Sequence, residues 1–190
     1  MRSALVALRK AKVPYAVVDA VALGVRGLPR FTHDLDVVVG LSNAFAAIDA
    51  LEGAGYESIT PVDREEDAEP MYVLQLRRGR TLVGEVDVLV AVGEPESTVI
   101  LEAGPTRVLG VTAPVASLEH LLLMYLYSNQ PKHIGDFARI VNESGVNLKR
   151  VEGWLREEHR EMLSTFRRRV KDVQQPPEAP PRPRPKRPSR

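Results

Sequence analysis

Cysteine is absent from the 190 residues, which excludes disulfides and thiolate metal centres. No apolar run reaches the length of a membrane span. Met1-Arg2-Ser3-Ala4 opens onto a short amphipathic stretch rather than the apolar region and cleavage site of a secretory leader, so a cytoplasmic location is expected. There is no P-loop, no Ser/His/Asp arrangement and no internal repeat. The four histidines, His33, His120, His133 and His159, lack metal-ligand spacing, which argues against zinc. Aromatic residues make up 5% of the chain and none lies in 174–190, so that segment offers no stacking surface for bases.

Hydrophobic residues reach 44%, enough for a core of ordinary size. The formal charge of +1 averages two unlike pieces. Residues 174–190 carry five Lys or Arg against Glu178 and seven prolines, leaving 21 basic and 24 acidic residues in 1–173, a formal charge of −3. Without apolar periodicity the tail has no means of packing and reads as disordered or polyproline-like. Together with Arg167, Arg168, Arg169 and Lys171 it offers a salt-dependent contact for tRNA or another RNA, against the commoner reading of a solubilising tail.

Along the chain, residues 2–11 read as a helix ended before Pro14. Tyr15–Val18 read as a strand, and 19–26 as a helix with Asp19 as N-cap. Residues 34–39 form a strand, followed by a helix in which Phe45, Ile48 and Leu51 repeat at three-residue steps as its apolar stripe. Further strands are expected at 56–60, 71–76, 81–90, 99–101 and 107–111, with a hairpin turn at 77–80 and a solvated acidic loop at 63–69. After Pro114 the pattern turns helical, with helices from Ser117, at 132–143 and at 148–170. This order predicts an α+β fold: a mixed β-sheet with flanking helices and a small C-terminal helical extension. The expected division is 1–113, 114–173 and the tail 174–190.

The stretch with chemical content is Arg30-Phe-Thr-His-Asp-Leu-Asp-Val-Val-Val-Gly40. On a strand, residues i and i+2 share a face about 6.6 Å apart, so Asp34 and Asp36 project together from one rigid element. Asp87, in Glu85-Val-Asp-Val-Leu-Val90, enters a second apolar strand, with Glu85 two residues earlier as a reserve ligand. Two or three carboxylates suffice for magnesium, which takes hard oxygen ligands and retains water. Phosphoryl and nucleotidyl transfer commonly use two such ions, about 4 Å apart, on the attacking and leaving oxygens.

The block from Val17 to Asp36, with Ala22, Gly27, Arg30, Thr32, Asp34 and Asp36 in register, resembles the signature of the nucleotidyltransferase superfamily, whose fold includes polymerase β. Within it the block is most similar to AbiEii-type and minimal nucleotidyltransferase-like prokaryotic proteins. The resemblance extends over roughly 13–141, through Glu119, Leu121-Leu122, Pro131-Lys132 and Asp136. It implies two Mg²⁺ ions on Asp34, Asp36 and Asp87 as metal ligands and catalytic residues, and nucleotide contacts from Asp19, Ala20, Arg30, Thr32 and Lys132. The implied activity is transfer of NMP from an NTP to an acceptor hydroxyl on an RNA end or a protein side chain.

Departures from the pattern define the alternative. Asp19-Ala20 stands where the family has a Gly-Gly or Gly-Ser pair whose backbone cradles a triphosphate. A carboxylate 4 Å from a phosphate charge at an effective dielectric near 20 costs about 4 kcal/mol. Tyr125 replaces a lysine and His133 an acid. The alternative is therefore a catalytically impaired binding protein on the same fold, a toxin–antitoxin partner or an RNA-associated scaffold. Single residues also carry two readings. Asp19 is a helix cap or an extra acid in the pocket; Arg30 binds phosphate or pairs with Asp34. Thr32 is a turn hydrogen-bonder or a substrate ligand, and Lys132 and Asp136 support nucleotide or form a solvated pair.

Overall fold

A computed structural model of the chain describes residues 1–59, 72–79, 84–94 and 96–175. The expected acidic loop 63–69 and most of the tail lie outside the described residues. Short strands of β-branched residues assemble into a seven-stranded mixed sheet in the order β3-β4-β5-β2-β1-β7-β6. Its central strand is β2 (Asp34–Gly40), paired antiparallel with β1 (Tyr15–Val17), which in turn pairs parallel with β7 (Val111–Val115). Val37, Val38 and Val39 are buried on both faces of β2, as a continuous apolar run between covering layers requires.

Beyond β2 lies β5 (Glu85–Ala91), parallel and in register over all seven residues. The start of β5 is set by Gly84, at φ +95°, whose N–H donates to the His33 carbonyl at 2.8 Å. That turn conformation favours glycine. β4 (Tyr72–Arg77) and β3 (Glu57–Ile59) complete this edge antiparallel. At the other edge β6 (Gly104–Val108) forms a hairpin with β7.

Four helices accompany the strands: α1 (Arg2–Lys10), α2 (Asp19–Val25), α3 (Ala44–Glu52) and α4 (Glu96–Glu102). After β7 come α5 (Leu118–Leu126), α6 (Pro131–Glu143), α7 (Leu148–Glu158) and α8 (Leu163–Gln174). The Ser117 hydroxyl caps α5 by accepting from His120 N–H at 3.2 Å. The α+β class and mixed sheet expected from the sequence are therefore present. Among the described residues no helix is long and apolar enough to cross a membrane.

Four local expectations are corrected. Residues 99–101 are helical, in α4, because the Glu94 carboxylate accepts from both the N–H and the hydroxyl of Thr98 and anchors the helix start. The stretch 107–111 is not one strand: Leu109 and Gly110, at φ 48° and 77°, turn the chain between β6 and β7, a mirror-type hairpin turn. The buried face of α3 is Ala44, Ala47 and Leu51, whereas Phe45 is 81% exposed. The expected helix 148–170 breaks at His159, followed by a 3₁₀ turn at Arg160–Met162. The break lets α8 fold back on α6, where Phe166 meets Phe137 edge to face at 6.2 Å.

Candidate active site on the sheet

Because β2 and β5 run parallel in register, Asp36 lies beside Asp87, and Asp34 is one step along the same face as Asp36. One oxygen from each of these three carboxylates falls within 4.8 Å of the others. Asp34 and Asp87 are half-buried; Asp36 is buried, and its Oδ2 has no hydrogen-bond partner among the described residues. Burial, then the charges of Asp19, Asp34 and Asp87, push the Asp36 carboxyl well above the usual carboxylate range, with Lys132 opposing. A hard cation would satisfy the orphaned oxygen and neutralise the clustered acids together, so the donor set fits a divalent ion.

Neighbouring side chains hold the cluster in place. Thr32 donates its hydroxyl to Asp34 Oδ1, the turn role expected for it. Gln75 on β4, directly opposite Asp87 in the ladder, donates to Asp87 Oδ1 at 3.4 Å. Glu85 is not in the cluster; Arg77 binds its carboxylate at 2.7 Å, so it is no reserve ligand in this arrangement.

A second cluster forms around Asp19. The residue sits at φ 49° and its side chain does not cap α2, which corrects the N-cap reading. Instead the carboxylate accepts from Arg30 Nη2 at 2.7 Å, from the Tyr125 hydroxyl at 2.6 Å and from Lys132 Nζ at 3.5 Å. Arg30 spans two acids, its Nε donating to Asp136 Oδ2 at 2.8 Å. It therefore pairs with Asp19 and Asp136, not with Asp34. Asp136 is buried, so Lys132 and Asp136 are not a solvated pair. Burial raises the Asp19 carboxyl, but the Tyr125 hydrogen bond and the charges of Lys132 and Arg30 outweigh it and hold it below the usual range. Ala20 follows inside α2 and is buried.

The two clusters face one cavity of about 180 Å³, closed by Val73, Leu89, Met124 and Tyr127. Backbone joins them as well: Val18 N–H donates to the Asp36 carbonyl at 3.0 Å. Of the residues read from sequence as site members, Asp19, Asp34, Asp36, Asp87 and Lys132 line this cavity; Ala20, Arg30 and Thr32 stand behind it. Gln75 and Tyr127 line it too, and neither was marked by sequence. Only their positions across the ladder and after α5 bring them in.

His133 stacks on Tyr125 at 4.7 Å and shares a 2.6 Å hydrogen bond with Ser128 Oγ. Burial lowers its pKa to about 4, Asp19 partly opposing and Lys132 and Arg30 reinforcing. A folded pKa below the unfolded 6.5 means that the native state binds fewer protons between those values. Stability is thus present above pH 6.5 and lost as pH falls toward 4. His133→Gln should remove its share of the pH dependence of urea midpoints across that window. What remains are the shares of His120, which burial also lowers, and of Asp36 and Asp136, whose raised carboxyls act with the opposite sign. An unchanged slope would contradict the assignment.

No protein-family model and no curated protein sequence matches the chain. Solved structures do match. The solution structure of the antibiotic-resistance factor ANT(2'')-Ia superposes with a TM-score of 0.57 at 17% identity, covering 90% of this chain and 91% of that one. Its crystal structure with adenylyl-2''-tobramycin gives 0.55 at 17% identity, covering 88% and 95%. A candidate nucleotidyltransferase from Thermotoga maritima gives 0.52 at 16% identity, covering 83% and 91%. This chain has the nucleotidyltransferase fold. Within the nucleotidyltransferase fold, the three acids stand on two neighbouring parallel strands, and the helical segment after β7 supplies Tyr125, Lys132 and His133 as the facing wall.

Proposed function

We propose that the chain is a Mg²⁺-dependent nucleotidyltransferase of AbiEii-type or minimal kind, moving NMP from an NTP to an acceptor hydroxyl. The observation that carries this reading is the convergence of Asp34, Asp36 and Asp87 around an unsatisfied buried oxygen. Asp34, Asp36 and Asp87 would hold the ions. When bound, a pair of divalent ions supplies charge neutralisation at the attacking and leaving oxygens. Asp87 orients the acceptor hydroxyl and takes its proton as the acceptor oxygen bonds to the α-phosphorus and pyrophosphate leaves. Thr32 and Gln75 fix the carboxylates' rotamers, which preorganises the site. An RNA end, such as that of tRNA, or a protein side chain is the expected acceptor. The adenylyl-tobramycin complex of ANT(2'')-Ia adds a small-molecule hydroxyl to that range.

RNA would meet a reduced basic surface on α8. Arg167 is committed to Glu152 at 2.8 Å and Arg169 to the Tyr125 carbonyl at 2.9 Å, while Arg168 and Lys171 remain exposed. One observation favours the second reading, a non-catalytic partner or scaffold on this fold: a carboxylate, Asp19, already occupies the donors Arg30 and Tyr125 at the turn where the resemblance puts the phosphates.

Incubation with Mg²⁺ and each α-labelled NTP, with and without bulk tRNA, tests the first reading. Label transfer should occur in the native chain and fall by roughly a thousandfold in Asp34→Ala. Absence of label with every NTP, including in excess Mn²⁺, would leave the binding-protein reading.

A further inference from the structure

Asp19 is a non-glycine residue in the left-handed region, φ 49°, at a bend that a glycine would enter without strain. What holds it there is its side chain. Three donors from three separate elements converge on the one carboxylate: Arg30 from the loop before β2, Tyr125 from α5 and Lys132 from α6. Arg30 and Tyr125 meet at Oδ1 and Lys132 reaches Oδ2, at 2.6 to 3.5 Å. Charged N–H donors with an added hydroxyl, aimed at a single oxyanion, are also what a phosphate group requires.

The charge balance is consistent with this. With Asp19 present, Arg30 and Lys132 are matched by Asp19 and Asp136. Without the Asp19 carboxylate, Arg30 and Lys132 are left with Asp136 as their ion-paired acid and with a buried hydroxyl beside them, while Asp136 continues to hold Arg30 from behind at 2.8 Å. The donors would stay preorganised and lack only their anion.

We infer that the Asp19 carboxylate is a built-in occupant of an oxyanion subsite formed by Arg30, Tyr125 and Lys132, and that a phosphate-bearing ligand engages this subsite only by displacing it. The identity of that ligand as the polyphosphate of an NTP rests on the nucleotidyl-transfer reading; the subsite itself does not. Asp19 thereby sets how weakly the native chain holds phosphate and gates the site beside the three metal-facing acids.

Calorimetric titration of inorganic pyrophosphate into the full chain, in EDTA, isolates this subsite from metal binding. Asp19→Gly should bind at least about tenfold more tightly than the native chain, from loss of a competing charge among preformed donors. Adding Lys132→Met to that variant should remove most of the gain. Asp19→Asn, near-isosteric and tolerant of positive φ, guards against a folding failure and should show a smaller gain. Equal or weaker pyrophosphate binding by the folded Asp19 variants would overturn the inference. A gain that survives Lys132→Met would do so too. A gain without label transfer by any variant would keep the subsite and reject the catalytic reading; label transfer without a gain would do the reverse.

Discussion

Arg30→Met is expected to destabilise the chain by about 3–5 kcal/mol, because one arginine neutralises two enclosed carboxylates. The Asp136 side chain is 4% exposed and that of Asp19 11%, and both lose their closest cationic partner. For a chain of this size the loss amounts to a fall in Tm of roughly 10 °C. Lysine should not restore it, since a single ammonium cannot reproduce a guanidinium that donates Nε to one acid and Nη2 to the other. Two further arms separate this from simple loss of packing. The deficit should shrink as pH falls into the carboxylate range, where the stranded acids take up protons. Adding Asp19→Asn and Asp136→Asn should recover a large part of it. A deficit that is independent of pH and of those replacements would place the role of Arg30 in packing alone.

Asp36→Asn is expected to act in opposite directions on activity and stability. Label transfer should drop by about a thousandfold or more, since the most enclosed metal-facing oxygen is lost. The metal-free chain should gain about 1–2 kcal/mol, or about 2–8 °C in Tm, because a buried carboxylate with an unsatisfied Oδ2 no longer sits between two like charges. A site kept for function at the expense of the resting fold predicts this pairing; a cluster of structural acids predicts loss of stability instead. Parallel melts in EDTA of the native chain and the variant give the comparison.

The difference between what was legible in the sequence and what was not follows physical range. Period-two spacing in a valine-rich strand places Asp34 and Asp36 on one face, and the apolar run after Asp87 marks a second strand end. That they meet depends on β5 lying beside β2 in register, which Gly84 and its bond to His33 establish in three dimensions. The partners of Arg30 were not legible for the same reason: Asp136 is 106 positions away, and the nearby Asp34 was the obvious local choice. Asp19 looked like a cap because caps are local, yet its carboxylate is claimed by Tyr125, also 106 positions distant. Propensity failed at 99–101, where β-branched residues read as a strand and Glu94 starts a helix. It failed also at Leu109-Gly110, where the chain makes a hairpin turn without the usual asparagine or aspartate. The fold class is insensitive to such local differences because it depends on the alternation of elements rather than on any one boundary.

If Asp34, Asp36 and Asp87 form a divalent-cation site, the Tm of the native chain rises with Mn²⁺ concentration. Saturation at a hundredfold over Kd stabilises a native state by about 2.7 kcal/mol, about 5–11 °C for a chain of this length. A saturable rise of that order is expected in the native chain and a flat curve in Asp36→Asn. A flat curve in the native chain, or an equal rise in both, would contradict a cation site on these three acids.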